Sequence, residues 1–261
     1  MWRRGCRGKV RTVRSFEDLI SEASTADVDG WGFGWLDGRA TEERPPWGYA
    51  RMLAARLASV QSALDIDTGG GEVVNEAPTL PPTMYVTESW PPNLEQAREL
   101  LGPRGVTVID ASNGDDLPIP EGSLDLVTAR HPVQPQWALA HRVLRPGGHY
   151  FGQHVGPDSA RELIEFFLGP LPDEPQARDP RLETADAEAA GFTVTDLRSA
   201  RCRMKFFDIG AVVWILRKCV WWVPDFTIAT YLDKLRELDT VIRRDGSFVA
   251  HSTRHIIEAR R

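Results

Sequence analysis

The sequence predicts an α/β fold: a mostly parallel sheet covered by helices on both faces. Short apolar runs alternate with helical segments through the middle of the chain. The runs are continuous rather than alternating apolar and polar, as strands buried on both faces require. The first of them leads into "LDIDTGGGEV", Leu64–Val73, where three glycines follow a strand directly. Connections in such a sheet are right-handed crossovers.

The elements follow in chain order. Residues 15–60 read as a helical preamble broken by the Gly- and Trp-rich loop "VDGWGFGWLDGRATEERPPWGY". Pro45 and Pro46 lead into a helix, "WGYARMLAARLASV", with Met52, Leu53, Leu57 and Val60 on its apolar side. "SALDI" is the first core strand, and "TMYVTES" is the second, ending at Glu88. "NLEQARELL" is a helix with Asn93 as cap and Gly102 as stop. "GVTVID" and "SLDLVTAR" are the third and fourth strands. The helix "WALAHRVL" ends at "RPGG", and "HYFGQHV" is the fifth strand. The helices "DSARELIEFFL" and "ETADAEAAG" then lead into "FTVTDLRSAR".

Composition narrows the function classes. The chain has 261 residues, 42% hydrophobic and 26% charged, as expected of one large α/β domain or one with a subdomain. No apolar run reaches the roughly 18 residues of a membrane span, since Arg217 and Lys218 break the most apolar stretch. The net charge of −6 opposes a large phosphate-binding surface. A basic arm at residues 1–14 reads as a disordered tail without the apolar core of a secretory signal. Cys6, Cys202 and Cys219 form no paired framework and no CxxC, so a reduced, cytoplasmic protein is expected. His251 and His255 share one strand face, but two ligands of one kind make no metal site, and no metal is expected.

Ligands of open parallel sheets bind beyond the carboxyl ends of the strands, so the first strand–helix turn is the expected site. Glycines there let backbone N–H groups approach a ligand and tolerate positive φ. Glu88 ends the next strand roughly twenty residues later, where an acid accepts both hydroxyls of a ribose. GxGxxG is absent, and no Gly-Lys-Ser/Thr follows, which disfavours a dinucleotide cradle and a P-loop.

These residues resemble the class I S-adenosylmethionine-dependent methyltransferases, of the type 11 kind. "LDIDTGGGE" is similar to that family's first motif: Asp65 stands for its acid, Gly69 and Gly71 for its second and third glycines, and Asp67 replaces the first. "ASNGDDLPIPEGSLDLV" resembles the segment holding the adenine, with Asn113 and Gly114 at the usual Asp-Ala pair and Asp115 as a nearby acid. "VLRPGGHYF" resembles the turn into the fifth strand. The resemblance implies a Rossmann-like, mostly parallel seven-stranded sheet with helices on both faces and an antiparallel last strand. It also implies S-adenosyl-L-methionine as cofactor, held by Asp65, Asp67, Gly69, Gly71, Glu88, Asn113, Gly114 and His131, with Tyr49 closing over its methionine end.

Methyl transfer needs alignment, exclusion of water and sometimes removal of a proton. Proton acceptors on offer are His131, His154 and Asp208; a lone histidine is more often structural. A long insertion, "CRMKFFDIGAVVWILRKCVWWVPDFTIATYLDKLRELDTVIRRDG", separates the last two strands. Its two helices carry Phe206, Phe207, Trp214, Trp221, Trp222, Phe226 and Tyr231, which pack a core, seam a homodimer, or lid an apolar or aromatic acceptor. The expected organisation is a tail at 1–14, an N-terminal helical cap at 15–60, a methyltransferase core at 61–205, a helical lid at 206–245 and the final core strand at 246–261. The leading reading is methylation of a small organic molecule, without nucleic-acid or membrane partners. The alternatives are an RNA methyltransferase anchored by the basic arm, and a non-catalytic binding protein of the same fold.

Overall fold

The computed structural model describes residues 14–30, 32–114, 117–172 and 178–261. Their elements in order are α1 (Phe16–Thr25), β1 (Ala40–Glu42), α2 (Tyr49–Leu57), β2 (Ser62–Ile66), α3 (Glu72–Asn75), β3 (Thr83–Glu88), α4 (Pro91–Leu101), β4 (Thr107–Asp110), β5 (Leu124–Arg130), α5 (Trp137–Val143), β6 (Leu144–Val155), α6 (Arg161–Leu168), α7 (Pro180–Ala189), β7 (Thr193–Phe206), α8 (Ile209–Lys218), α9 (Leu232–Asp245) and β8 (Phe248–Arg260).

The sheet has eight strands in the order β1-β7-β8-β6-β5-β2-β3-β4. The pairs from β4 through β3, β2 and β5 to β6 are parallel, and β8 runs antiparallel to β6. The strand beyond the expected seven is β1, three residues with no apolar pattern to mark them. Pro91 and Pro92 start α4 two residues ahead of the expected cap. Asn93 is therefore buried inside the first turn, its amide donating to Glu88 at 3.5 Å.

The chain divides into two compact units. The larger holds Gly30, Gly32, Glu42–Met204 and Val249–Arg261. The smaller holds the described residues up to Asp29, Phe33–Thr41 and Lys205–Phe248. The segment expected as one N-terminal cap is thus split, with α1 in the smaller unit and α2 in the larger.

In the smaller unit, α8 is buried from Ile209 to Leu216, and Asp208 caps it by accepting the Ala211 N–H at 2.8 Å. Gly210 lets α1 pass close by, since a Cβ there would meet the Leu19 carbonyl at 3.1 Å. Trp214 stacks on Trp35, and its indole donates to the Asp27 carbonyl at 2.8 Å. Trp214 and Phe206 are core residues, whereas Phe207 and Trp221 are exposed.

In the larger unit the sheet has two different faces. Toward α2 lie Ala63, Leu126, Phe151 and Ile256, with Trp47, Tyr49 and Leu53 packed on them. The opposite face carries Leu64, Val127, Tyr150 and Ile257 under Trp137, Ala187 and Phe192. On that second face a polar cluster joins α7 to the sheet. Glu183 Oε2 accepts from His154 Nδ1 at 2.6 Å and from His255 Nε2 at 2.7 Å, and the Tyr150 hydroxyl meets His154 Nε2 at 2.9 Å. All three metal-capable side chains are buried, with ligand atoms within 4.8 Å of one another. Here the imidazoles satisfy the carboxylate by hydrogen bonds.

Burial pushes the Glu183 carboxyl up, but the hydrogen bonds from both histidines outweigh it and hold it at about 2. Burial pushes His154 down, against the pull of Glu183. Both folded-state values lie below the unfolded ones, so both groups contribute stability that is lost on acidification. The His154 contribution fades as pH falls below about 6.5, and that of Glu183 fades from about 4.3 down through about 2. Glu183→Gln is expected to lower stability by about 2–4 kcal/mol at neutral pH and to flatten the acid limb of stability against pH. Urea unfolding between pH 4 and 8 measures both.

Candidate functional site

β2 is the central one of the five parallel strands and is buried from Ala63 to Ile66. Register places Ile66 beside Ala129 of β5, and Ala129 beside Gly152 of β6, so β2 and β5 end at nearly the same level and β6 runs on to Val155. The turn after β2 begins where β2 and β5 end.

Asp65 is buried at that end, and the Thr128 hydroxyl donates to its Oδ1 at 2.5 Å. Burial raises its carboxyl to about 6, against the Thr128 hydrogen bond and the nearby Thr68 hydroxyl; the Asp67 charge adds to the rise and Arg130 opposes it. Asp67 takes the left-handed region at φ 54°, where the family motif has glycine, and its N–H donates to Thr87 Oγ1 at 3.2 Å. Thr68 N–H donates to the Thr87 carbonyl at 2.9 Å, tying the turn to β3.

The glycines divide their work. Gly69 has φ 66° and open space where a Cβ would stand. Gly71 has φ 85°, and a Cβ there would come within 2.7 Å of Leu101 in α4. The N–H groups of Gly69 and Gly70 donate to no described residue, and the Thr68 hydroxyl lies near the Asp65 carboxyl. A ligand reaching this turn meets two amides that no described residue engages.

Glu88 ends β3 level with Asp110 of β4. Its Oε1 accepts the N–H groups of Ser89 and Trp90, both at 2.8 Å, which fixes the carboxylate and leaves Oε2 with only the long Asn93 contact. Asn113 and Gly114 lie exposed in the turn after β4, Gly114 at φ 93°. Asp115 and the basic arm before Arg14 lie outside the described residues.

His131 follows β5 in the left-handed region at φ 57°. Its N–H donates to the Gln153 carbonyl at 2.7 Å, and its Nε2 meets Gln153 Nε2 at 3.0 Å. The Gln153 Oε1 accepts the Trp47 indole at 2.7 Å. Burial, then Arg130, Arg254, His154 and Arg178, push the His131 imidazole down to about 2, so it stays neutral. Tyr49 is a core residue, stacked on Phe151 at 5.0 Å with its hydroxyl 3.3 Å from the Ala129 carbonyl. Trp47, Gln153 and His131 form a connected group whose linkage the sequence did not disclose.

The three expected proton acceptors are all engaged. His131 Nε2 faces an amide donor, His154 is buried on the opposite face of β6, and Asp208 caps α8. His251 does not join His255; it bonds Glu162 at 2.7 Å.

Residues 64–152 match the methyltransferase-domain family. Solved structures share the fold. A putative methyltransferase from Bacillus halodurans C-125 is 17% identical, covering 82% of this chain and 99% of that one, with a TM-score of 0.55. The YcgJ protein of Bacillus subtilis is 16% identical, covering 81% and 97%, with a TM-score of 0.56. Phosphoethanolamine N-methyltransferase 2 of Haemonchus contortus is 16% identical, covering 95% of this chain and 60% of that one, with a TM-score of 0.50. No curated protein matches. The fold is Rossmann-like, as in the putative methyltransferase of Bacillus halodurans. The match to the methyltransferase domain is confined to residues 64–152. No described helix is long and apolar enough to cross a membrane.

Gly71→Ala combines positive-φ strain with a collision and is expected to cost about 2–4 kcal/mol. Gly69→Ala carries the strain alone and is expected to cost about 1 kcal/mol. Denaturant unfolding of the two variants separates packing from backbone strain.

Proposed function

We propose that this protein transfers a methyl group from S-adenosyl-L-methionine to a small organic molecule. The observation that carries the reading is the pair of unpartnered amides at Gly69 and Gly70, in a turn set between Asp65 and the fixed carboxylate of Glu88. When bound, the cofactor supplies an electrophilic methyl carbon on a sulfonium. The turn at Asp67, Gly69 and Gly71 holds its amino-acid end, Glu88 accepts from the ribose hydroxyls, and Asn113 with Gly114 borders the adenine. Trp47 and Tyr49 form an apolar wall that keeps water from the face of β5 and β6.

Because His131, His154 and Asp208 are engaged, the site suits an acceptor whose nucleophile needs no base from them: a carboxylate, a thiolate or an amine with a free lone pair. A small acceptor agrees with the Haemonchus relative, which was solved with phosphomonomethylethanolamine and S-adenosylhomocysteine. The net charge of −6 favours a small molecule over RNA.

Calorimetry with S-adenosylmethionine is expected to give one binding event per chain. Glu88→Gln, which keeps an acceptor for Ser89 and Trp90, is expected to weaken it at least about tenfold. No heat and no thermal stabilisation of the unaltered protein would leave a non-catalytic scaffold as the reading.

The same titration carries a pH signature. Below about 6 Asp65 is protonated in the free protein, and a cationic ligand beside it must expel that proton. Affinity is therefore expected to be flat above pH 6 and to fall by up to about tenfold per unit below it. Proton release, read in buffers of different ionisation enthalpy, checks the sign.

A further inference from the structure

We propose that Trp47, Gln153 and His131 form a relay that fixes His131 as a neutral Nδ1–H donor, and that this donor and the Arg130 guanidinium make a subsite for a carboxylate. The subsite rests on the reading of the neighbouring turn as a cofactor cradle; the relay stands on geometry alone.

The direction of the relay follows from what each group can do. An indole N–H only donates, so the Gln153 oxygen must face Trp47, at 2.7 Å. The Gln153 amide nitrogen then faces His131 Nε2 at 3.0 Å and can only donate to it. A ring nitrogen that accepts is bare, so the imidazole proton sits on Nδ1. The His131 N–H bond to the Gln153 carbonyl, at 2.7 Å, holds the backbone in the left-handed turn that aims the ring.

Charge around the ring favours an anion. Arg130 ends β5 in register with Gln153, on the sheet face that carries Asp65 and Phe151. It is exposed and makes no ion pair or hydrogen bond among the described residues. Arg254 of β8, level with Val155, is tied to Glu42 at 2.9 Å. Arg130, Arg254 and Arg178, with His154 of the opposite face, all bear on His131 and disfavour a second proton. A neutral N–H beside a free guanidinium binds a carboxylate without needing to titrate. The carboxylate belongs either to the amino-acid end of the cofactor or to the acceptor.

Long-range 1H–15N correlation spectra of the full chain labelled in histidine, with His131→Gln as assignment control, test the relay. Expected is one neutral Nδ1–H tautomer from pH 5 to 8. An Nε2–H pattern, or titration within that range, overturns the proposal. Gln153→Glu accepts from both neighbours, so His131 should move its proton to Nε2 and begin to titrate above pH 5. An unchanged signature in that variant refutes the relay.

Binding of S-adenosylhomocysteine and of 5′-methylthioadenosine, which lacks the amino-acid end, locates the carboxylate. If the cofactor supplies it, Arg130→Gln and His131→Phe each weaken S-adenosylhomocysteine about tenfold or more and leave 5′-methylthioadenosine unchanged. If the acceptor supplies it, both nucleosides bind the variants normally. Acetate then shifts the His131 Nδ1–H signal of the nucleoside-saturated protein. An acetate-insensitive signal, with both nucleosides binding the variants normally, overturns the subsite. Failure of both nucleosides to bind the unaltered protein sinks the cofactor reading instead, while the tautomer spectra still judge the relay.

Discussion

A carboxylate at the end of a strand buried on both faces is the constraint around which the site is arranged. Asp65 must lose water to take its place, and the hydroxyls of Thr128 and Thr68 replace little of what is lost. Its carboxyl consequently sits near 6, and at neutral pH the ionised form is a standing cost to the ligand-free fold. A cation arriving beside it removes that cost. The turn follows the same logic: among the described residues the amides of half-buried Gly69 and buried Gly70 have no partner, although buried backbone donors are almost always paired. Destabilising features collected at one strand end, inside an otherwise satisfied core, mark a place built for a ligand.

β6 shows how the fold separates holding from binding. Successive side chains of a strand face opposite sides. Tyr150 and His154 point to the α7 side, where Glu183 and His255 lock helix to sheet. Phe151 and Gln153 point to the α2 side, where Trp47 and Tyr49 pack. One residue's step along the strand converts a histidine that looks catalytic in sequence into a structural one. His154 lies one residue before the end of β6, but its imidazole is spent on Glu183 and Tyr150.

What the sequence disclosed was local. Strand β2, its glycine turn and Glu88 stand within roughly twenty residues, and the spacing of a βαβ unit carries the meaning. Asp67 at φ 54° is local too, since Asp enters the left-handed region more readily than most residues. Contacts closed over long separations stayed hidden. Trp47 lies 106 residues from Gln153, and His255 lies 72 from Glu183. No periodicity announces such pairs, so the histidine cluster and the relay emerge only once β5, β6 and β8 lie side by side. β1 was missed for a different reason: three residues joining a sheet edge need no apolar alternation. The aromatic insertion read as a lid gives its buried rings, Trp214 and Phe206, to the smaller unit's own core.

The two ends of the strand row differ in sign, and this ordering bears on what can bind. Asp65 and Asp67 sit at the end of β2, while Arg130 and the His131 N–H stand at the end of β5, its direct neighbour. Neighbouring strands are about 4.8 Å apart, so both poles fall within the span of a single amino-acid group. A simple anion would meet Arg130 but also the two acids; a simple cation would meet the reverse. On the proposed reading a zwitterion would satisfy both poles at once, its ammonium toward Asp65 and its carboxylate toward Arg130. Asp67 then has a physical role where the family places glycine: it reinforces the negative pole, at the expense of a still higher Asp65 pKa in the empty site.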